Sequence, residues 1–200
     1  VFLYDYQDQQ FVNVVGVSTF LDNAGGSEML GLESEIFWAA SDRLILSLGL
    51  GFLETEYTEL VLNNTETISD IDDTVDLSGN ELISAPKFNA NISIDYDILM
   101  TSIGYLTLNM NANYQDDQWF SAYNDDIGYD QIRQDDYWVY NGRLTWFSGA
   151  NDNLQISIWG KNLTDEEFDT YAINLQTAVG YDQYNRAAPR TYGLEIGYRF

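Results

Sequence analysis

Two hundred residues, 45% of them hydrophobic, suffice for one domain or a substantial piece of a larger one. The chain has no Cys and no His, which removes disulfide scaffolds, thiolate zinc sites and imidazole acid–base chemistry, and a net charge of −24 with eight Lys and Arg opposes nucleic-acid binding, whose affinity rests on neutralised phosphates. Tyr, Phe and Trp make up 15% of the chain, yet no run of about 18 apolar residues exists, so a helical membrane protein is excluded. The sequence opens on Val1 without a charged n-region, an apolar core or a cleavage site, so a mature or truncated chain is expected.

Read for period two, the chain yields successive strands. A weak one lies near residues 1 to 10. Segment 28 to 40 places Leu30, Leu32, Ile36 and Trp38 on one face, and 43 to 59 does the same with Leu44, Leu46, Leu48, Leu50 and Phe52. Next, Phe88, Ala90, Ile92, Ile94 and Tyr96 oppose Asn89, Asn91, Ser93 and Asp95, and Leu106, Leu108, Met110, Ala112 and Tyr114 oppose Thr107, Asn109, Asn111 and Asn113. Segments 137 to 148 (Trp138, Tyr140, Leu144, Trp146) and 154 to 162 (Leu154, Ile156, Ile158) follow. The last strand, 191 to 200, is the clearest: Tyr192, Leu194, Ile196, Tyr198 and Phe200 against Thr191, Gly193, Glu195, Gly197 and Arg199. One face is apolar throughout, and the other is too polar for a dry core.

Connections between these segments alternate in length. Short turns are expected at Ala40 to Asp42, Asp97 to Ser102 and Gly149 to Asn153, and long polar loops near 11 to 27, 60 to 86, 115 to 136 and 163 to 189. Outer-membrane barrels alternate in this way, with periplasmic turns and extracellular loops, and a strand of about 9 to 11 tilted residues crosses the bilayer. Aromatic girdles are expected at both interfaces: Trp38, Tyr96, Trp146 and Phe200 at the short-turn end, and Tyr57, Tyr114, Trp138 and Tyr192 at the long-loop end. The expected fold is therefore an all-β, antiparallel up-and-down transmembrane barrel without enzymatic function or cofactor, its outer face in contact with outer-membrane lipid.

Three stretches carry a family resemblance. NAGGSEMLGLESEI (23 to 36), with Gly31, Glu33 and Glu35, WGKNLTDEEF (159 to 168) and PRTYGLEIGYRF (189 to 200) resemble the C-terminal barrel region of TonB-dependent outer-membrane receptors, as does GNELISAPKFNANISIDY (79 to 96) through Pro86. The resemblance implies that residues 1 to 200 are the last eight strands of a barrel of about 22 strands. It further implies that the plug and the segment that reaches TonB are elsewhere. It implies energy-coupled uptake of a scarce ligand such as a ferric siderophore, cobalamin or an oligosaccharide. Tyr198 and Phe200, at the terminal aromatic of the closing strand, would serve the barrel-assembly machinery.

Two other architectures compete. A self-contained eight-stranded barrel with a structural or channel role is geometrically possible, but Gly49, Gly51, Gly193 and Gly197 would fill its narrow interior poorly. A secreted carbohydrate-binding sandwich would leave the loop alternation unexplained.

Among individual residues, Tyr123, Asp125, Asp126 and Tyr129 are candidate ligand contacts in an aromatic, acidic loop that also holds Asp130. Asp70, Asp72, Asp73 and Asp76 have the chemistry of a calcium site but not the EF-hand spacing, and read as a solvated acidic loop. Glu33 and Glu35 are expected on the lumen wall, paired with Arg143, Lys161 or Arg199 rather than acting as catalytic carboxylates. Asn162-Leu163-Thr164 matches a glycosylation acceptor and is expected to be silent.

Overall fold

The computed structural model describes residues 1–15, 18–63, 74–124, 132–148, 153–175 and 179–199. In chain order these form β1 (Phe2–Val15), β2 (Ser18–Ser41), β3 (Leu44–Glu59), β4 (Val61–Asn63), β5 (Thr74–Asp76), β6 (Phe88–Thr101) and β7 (Gly104–Gln115). They continue with β8 (Gln118–Trp119), β9 (Arg133–Gln134), β10 (Tyr137–Ser148), β11 (Leu154–Lys161), β12 (Asp169–Ile173), β13 (Gln183–Arg186) and β14 (Thr191–Tyr198).

Eight strands make one antiparallel sheet in the order β1-β2-β3-β6-β7-β10-β11-β14, so each wall strand pairs with the next wall strand in sequence. The six short strands form three separate hairpins, β4-β5, β8-β9 and β12-β13, one in each of the connections β3 to β6, β7 to β10 and β11 to β14. This is the up-and-down meander that the alternation predicts. The sheet is open: β1 and β14 occupy its two edges and do not pair with each other.

Register converts the sequence alternation into rows. Leu44, Tyr96, Leu108, Leu144, Ile158 and Leu194 are successive cross-strand partners, and Leu46, Ile94 and Met110 form the row beside them. Interleaved with these are polar rows such as Ser47, Ser93, Asn111 and Asn141. Because side chains alternate with period two, every member of a row stands on the same face. On the apolar face large side chains stand open, with Tyr192 81% and Leu194 and Ile196 each 65% exposed. Contiguous apolar exposure of this kind marks contact with another apolar phase, which for a closed barrel is lipid.

Aromatic contacts run along the long-loop end of this face. Phe52, Phe88, Tyr114, Trp138 and Tyr140 follow one another across four adjacent strands at centroid distances of 4.8, 5.6, 5.1 and 5.8 Å. Tyr114 and Trp138 were expected there, and Phe52 and Phe88 complete the row.

Four expectations need correction. Residues 11 to 27 are not a loop: β1 and β2 pair from Phe2↔Gly31 to Val15↔Ser18, a hairpin whose outer half carries apolar residues at both parities, so no single face marks it as a strand. The turn expected over Asp97 to Ser102 is strand as far as Thr101, with a bulge between Asp97 and Leu99 that shifts Leu99 onto the row of Leu106, and the turn itself is Ser102–Ile103. Tyr57 does not join the girdle. It stands an odd number of residues from Phe52, on the opposite face, and is 2% exposed. Finally, Glu33 and Glu35 lie on β2, four strands from Arg143 on β10, about 19 Å at the usual strand spacing, which no ion pair can bridge.

Candidate functional site

Two regions combine polar chemistry with defined geometry: the inner face of the wall and a cap built by the long connections.

On the inner face, side-chain amides form a chain across three strands. Asn91 Nδ2 donates to Asn113 Oδ1 (2.6 Å), Asn113 Nδ2 to Asn111 Oδ1 (2.6 Å), and Asn141 Nδ2 to that same Asn111 oxygen (3.0 Å). Asn109 donates to Asp95 in the next row. Beyond them, Arg143 reaches Glu195 (3.0 Å) and Ser157 (2.9 Å) through Nη2, and Thr145 (3.3 Å) through Nε. Ser157 and Thr145 bond to each other (3.0 Å) and are buried beneath this arrangement. Sequence parity predicts this face, but not the Arg143–Glu195 pair, which needs the register of β10, β11 and β14.

Asn162 terminates β11 and is 4% exposed with φ of 50°, a left-handed conformation that Asn tolerates better than most residues. Its backbone N–H donates to Asn141 Oδ1 (3.0 Å), its Oδ1 accepts from Glu166 N (2.8 Å), and its Nδ2 donates to Glu166 O (2.9 Å) and Ala188 O (3.3 Å). The amide that a glycan would need is thus consumed in fixing the turn. Leu163 then covers Gly160 so closely that a Cβ there would lie 2.5 Å from its Cδ2. These contacts give the WGKNLTDEEF stretch a structural reason.

The cap rests on a buried cluster of Tyr57, Leu60, Leu62, Leu77, Leu82 and Ala122, with Met29, Val75, Ala85 and Tyr123 packed against it. Its two main connections are clasped reciprocally. Asn80 Nδ2 donates to the carbonyls of Ala122 (2.9 Å) and Tyr123 (2.8 Å), while Asn124 Oδ1 accepts from Glu81 N (2.9 Å) and Asn124 Nδ2 donates to Glu81 O (3.0 Å). A second cluster, Phe120, Ile132 and Ala172, joins the third connection, helped by Tyr137 stacked on Phe168 at 4.1 Å and by Gln134 Oε1 accepting from Asp169 N (2.7 Å). Arg133 bridges to Asp117 (3.1 Å) and stands 5.4 Å from the Trp119 ring centroid.

Of the expected ligand contacts, Tyr123 is half-buried against the first cluster, while Asp125, Asp126 and Tyr129 lie outside the described residues, as does Asp130. Of the acidic group, Asp76 alone is described. The Ser78 hydroxyl (2.6 Å) and backbone N–H (3.0 Å) donate to its carboxylate and hold it below the usual range. Among the described residues no group of three or more acidic side chains is placed to hold a metal ion. A hydrogen bond to Glu81 raises Lys87, and burial followed by the charges of Asp182 and Asp169 raises Tyr184. Tyr198 stands 58% exposed on the lipid face, and Phe200 lies outside the described residues.

An open antiparallel meander with an apolar outer face, a polar inner face, tight turns at one end and a packed cap at the other is a segment of an outer-membrane-type β-barrel wall. The sequence profile described as "TonB dependent receptor-like, beta-barrel" matches residues 1–163, and the chain belongs to that family. Among solved structures, it is similar to the ferric yersiniabactin uptake receptor FyuA from Yersinia pestis, with a TM-score of 0.74 and 21% identity over 99% of this chain and 26% of that one. It is also similar to the siderophore receptor PiuA from Acinetobacter baumannii, with a TM-score of 0.68 and 20% identity over 98% of this chain and 25% of that one. A third is the ferric preacinetobactin receptor BauA from Acinetobacter baumannii, with a TM-score of 0.62 and 19% identity over 95% and 25% of the two chains. The chain spans about a quarter of the length of these receptors. At these identities the likeness establishes the fold.

Proposed function

We propose that this chain is the C-terminal part of the barrel wall of a TonB-dependent receptor that takes up a scarce ligand across the outer membrane, a ferric siderophore being favoured over cobalamin or an oligosaccharide. The two-faced meander, capped at the end of its long connections, carries the reading. The siderophore preference rests on the likeness to the siderophore receptor PiuA and to FyuA and BauA, receptors for ferric yersiniabactin and ferric preacinetobactin. In this reading the plug and the TonB-contacting segment belong to the remainder of the receptor. The Asp42–Arg43 and Ser102–Ile103 turns face the periplasm and the cap faces outward. Tyr198 and Phe200 present the signal for the barrel-assembly machinery.

Iron-limited cells that depend on the full-length receptor test the reading. Uptake of labelled ferric siderophore should require both the receptor and TonB, and growth that is indifferent to TonB would sink it. Protease added to intact cells should cut within 60 to 86 or 115 to 136, and cleavage confined to the tight turns would reverse the orientation. The self-contained eight-stranded barrel gains no support from a sheet whose edge strands stay apart.

A further inference from the structure

A recess of about 450 Å³ opens on the inner face where β7, β10 and β11 run side by side. Its floor is backbone: Met110, Gly142 and Gly160 are successive cross-strand partners in a row whose side chains stand on the opposite face. Asn109, Asn111, Asn141, Arg143, Trp159 and Lys161 rise around it. The Trp159 ring lies over Gly193, where a Cβ would be 2.6 Å from Cζ2, so glycine on β14 is what lets the indole extend sideways as one wall.

The donors around this recess outnumber the acceptors left to meet them. Asn111 Oδ1 already accepts from Asn113 and Asn141, so its NH₂ group points away from both and has no acceptor among the described residues. Arg143 spends Nη2 and Nε on Glu195, Ser157 and Thr145, leaving Nη1 without an acceptor among the described residues. Lys161 lies in no ion pair among the described residues. Two cations thus face one recess carboxylate, Glu195, in a chain whose net charge is −24. Asp95 stands one strand further off and is already engaged by Asn109.

We infer that this recess is an oxyanion site that takes a small carboxylate ligand on the lumen wall, with Lys161 Nζ, Arg143 Nη1 and the Asn111 amide as donors and Trp159 as the apolar wall. Its volume lies within the range of small-molecule sites, about 300 to 1,000 Å³. Charge-assisted hydrogen bonds to a carboxylate are the strongest that this set of groups can make. Glu195 fixes Arg143 in place and cancels its charge, so Lys161 supplies the net attraction. The inference rests on the proposed reading of this face as the barrel lumen.

The test uses the full-length receptor in detergent, titrated with malonate and, as a neutral isostere, malonamide, and followed by tryptophan fluorescence. Malonate should give a saturable change that malonamide does not. Lys161→Met should weaken malonate binding about tenfold, the loss expected for one charge-assisted contact, and Trp159→Phe should abolish most of the signal while binding persists by calorimetry. Lys161→Gln provides the same comparison should the Met variant fold poorly. Equal responses to the two probes, or unchanged affinity in both Lys161 variants, would overturn the site. So would a wild type blind to malonate whose Lys161 variants melt earlier, because the donors would then serve an acidic side chain of the receptor itself. TonB-dependent uptake, measured in the same variants, separates failure of this site from failure of the transport reading.

Discussion

The wall and the cap are stabilised by different solvents. Nearly every buried hydrophobic side chain among the described residues belongs to the cap or its attachment points: Tyr57, Leu60, Leu62, Leu77 and Leu82 in one cluster with Ala122, and Phe120, Ile132 and Ala172 in the other. Among the described residues, Ala90 is the one other hydrophobic side chain buried to that degree, and it lies in the wall. In outer-membrane barrels, open wall leucines of this kind pack against lipid, and the strands are held by backbone ladders that a bilayer makes obligatory. The cap stands in water and needs a dry core of its own. One chain therefore carries two hydrophobic logics, and the boundary between them passes through β3, where Phe52 looks outward and Tyr57 inward.

Breaking the cap core should give the largest effect. Leu60→Ala removes a fully buried side chain and is expected to cost the cap about 2 to 5 kcal/mol. In the full-length receptor this should appear as faster proteolysis and amide exchange across 60–63, 74–86 and 115–124, while the heat-modifiable gel mobility of the barrel stays normal. Loss of the barrel band along with the cap would show that the two regions are one cooperative unit.

The wall offers a comparison of faces within two adjacent positions. Leu108 lies on the apolar row and Asn109 beside Arg143 on the polar one. Leu108→Arg near mid-wall should cost about 2 to 4 kcal/mol in a bilayer, and Asn109→Arg much less. Equal penalties, measured by unfolding from liposomes, would mean that the lipid and lumen faces are wrongly assigned.

Smaller again is the clasp between connections. Asn80→Ala removes one donor from each of the Ala122 and Tyr123 carbonyls, leaving Ala122 O the longer bond from Asn124 Nδ2 (3.3 Å), and should loosen the cap by about 1 to 2 kcal/mol. Amide exchange should rise on both connections together. A rise confined to 74–86 would mean that the two move independently.

These regions were unequally legible in the sequence. Parity alone places Leu108 and Asn109, because a strand with one apolar face declares its orientation residue by residue. The same rule places Tyr57 opposite Phe52, and the girdle assignment fails because it followed position near a loop rather than parity. The outer half of the β1-β2 hairpin gave no signal, since Phe11, Val12, Val14 and Val15 fall on both parities and declare no single face. The Asn80–Asn124 clasp joins residues some forty positions apart, and the cap clusters draw on separate connections, beyond the reach of any local period. Arg143 was recognisable as a lumen cation, but its partner depends on the registers of two strand pairs at once.

The smallest effect is a pH dependence that should appear in the cap and not in the wall. Asp76 accepts from Ser78 Oγ, and that same oxygen accepts from Leu60 N (3.2 Å), so the carboxylate anchors the exit of β5 to a fully buried residue of the cap core. Its folded pKa lies below the ordinary 3.8 because both Ser78 donors favour the charged form. A carboxyl depressed on folding adds stability that is fully present above its unfolded pKa and fades as pH falls towards the folded one. Acidification through pH 4 should therefore loosen the β4-β5 hairpin, but many carboxylates titrate in that range and the wild type alone cannot assign the change. Asp76→Asn keeps an acceptor for Ser78 but removes the proton-linked part. The variant should begin slightly weaker at pH 7, and its rate of cutting in 60 to 86 by an acid-tolerant protease should rise less steeply below pH 4 than that of the wild type. Parallel pH profiles for the two proteins would show that the Ser78 bonds contribute nothing that depends on charge.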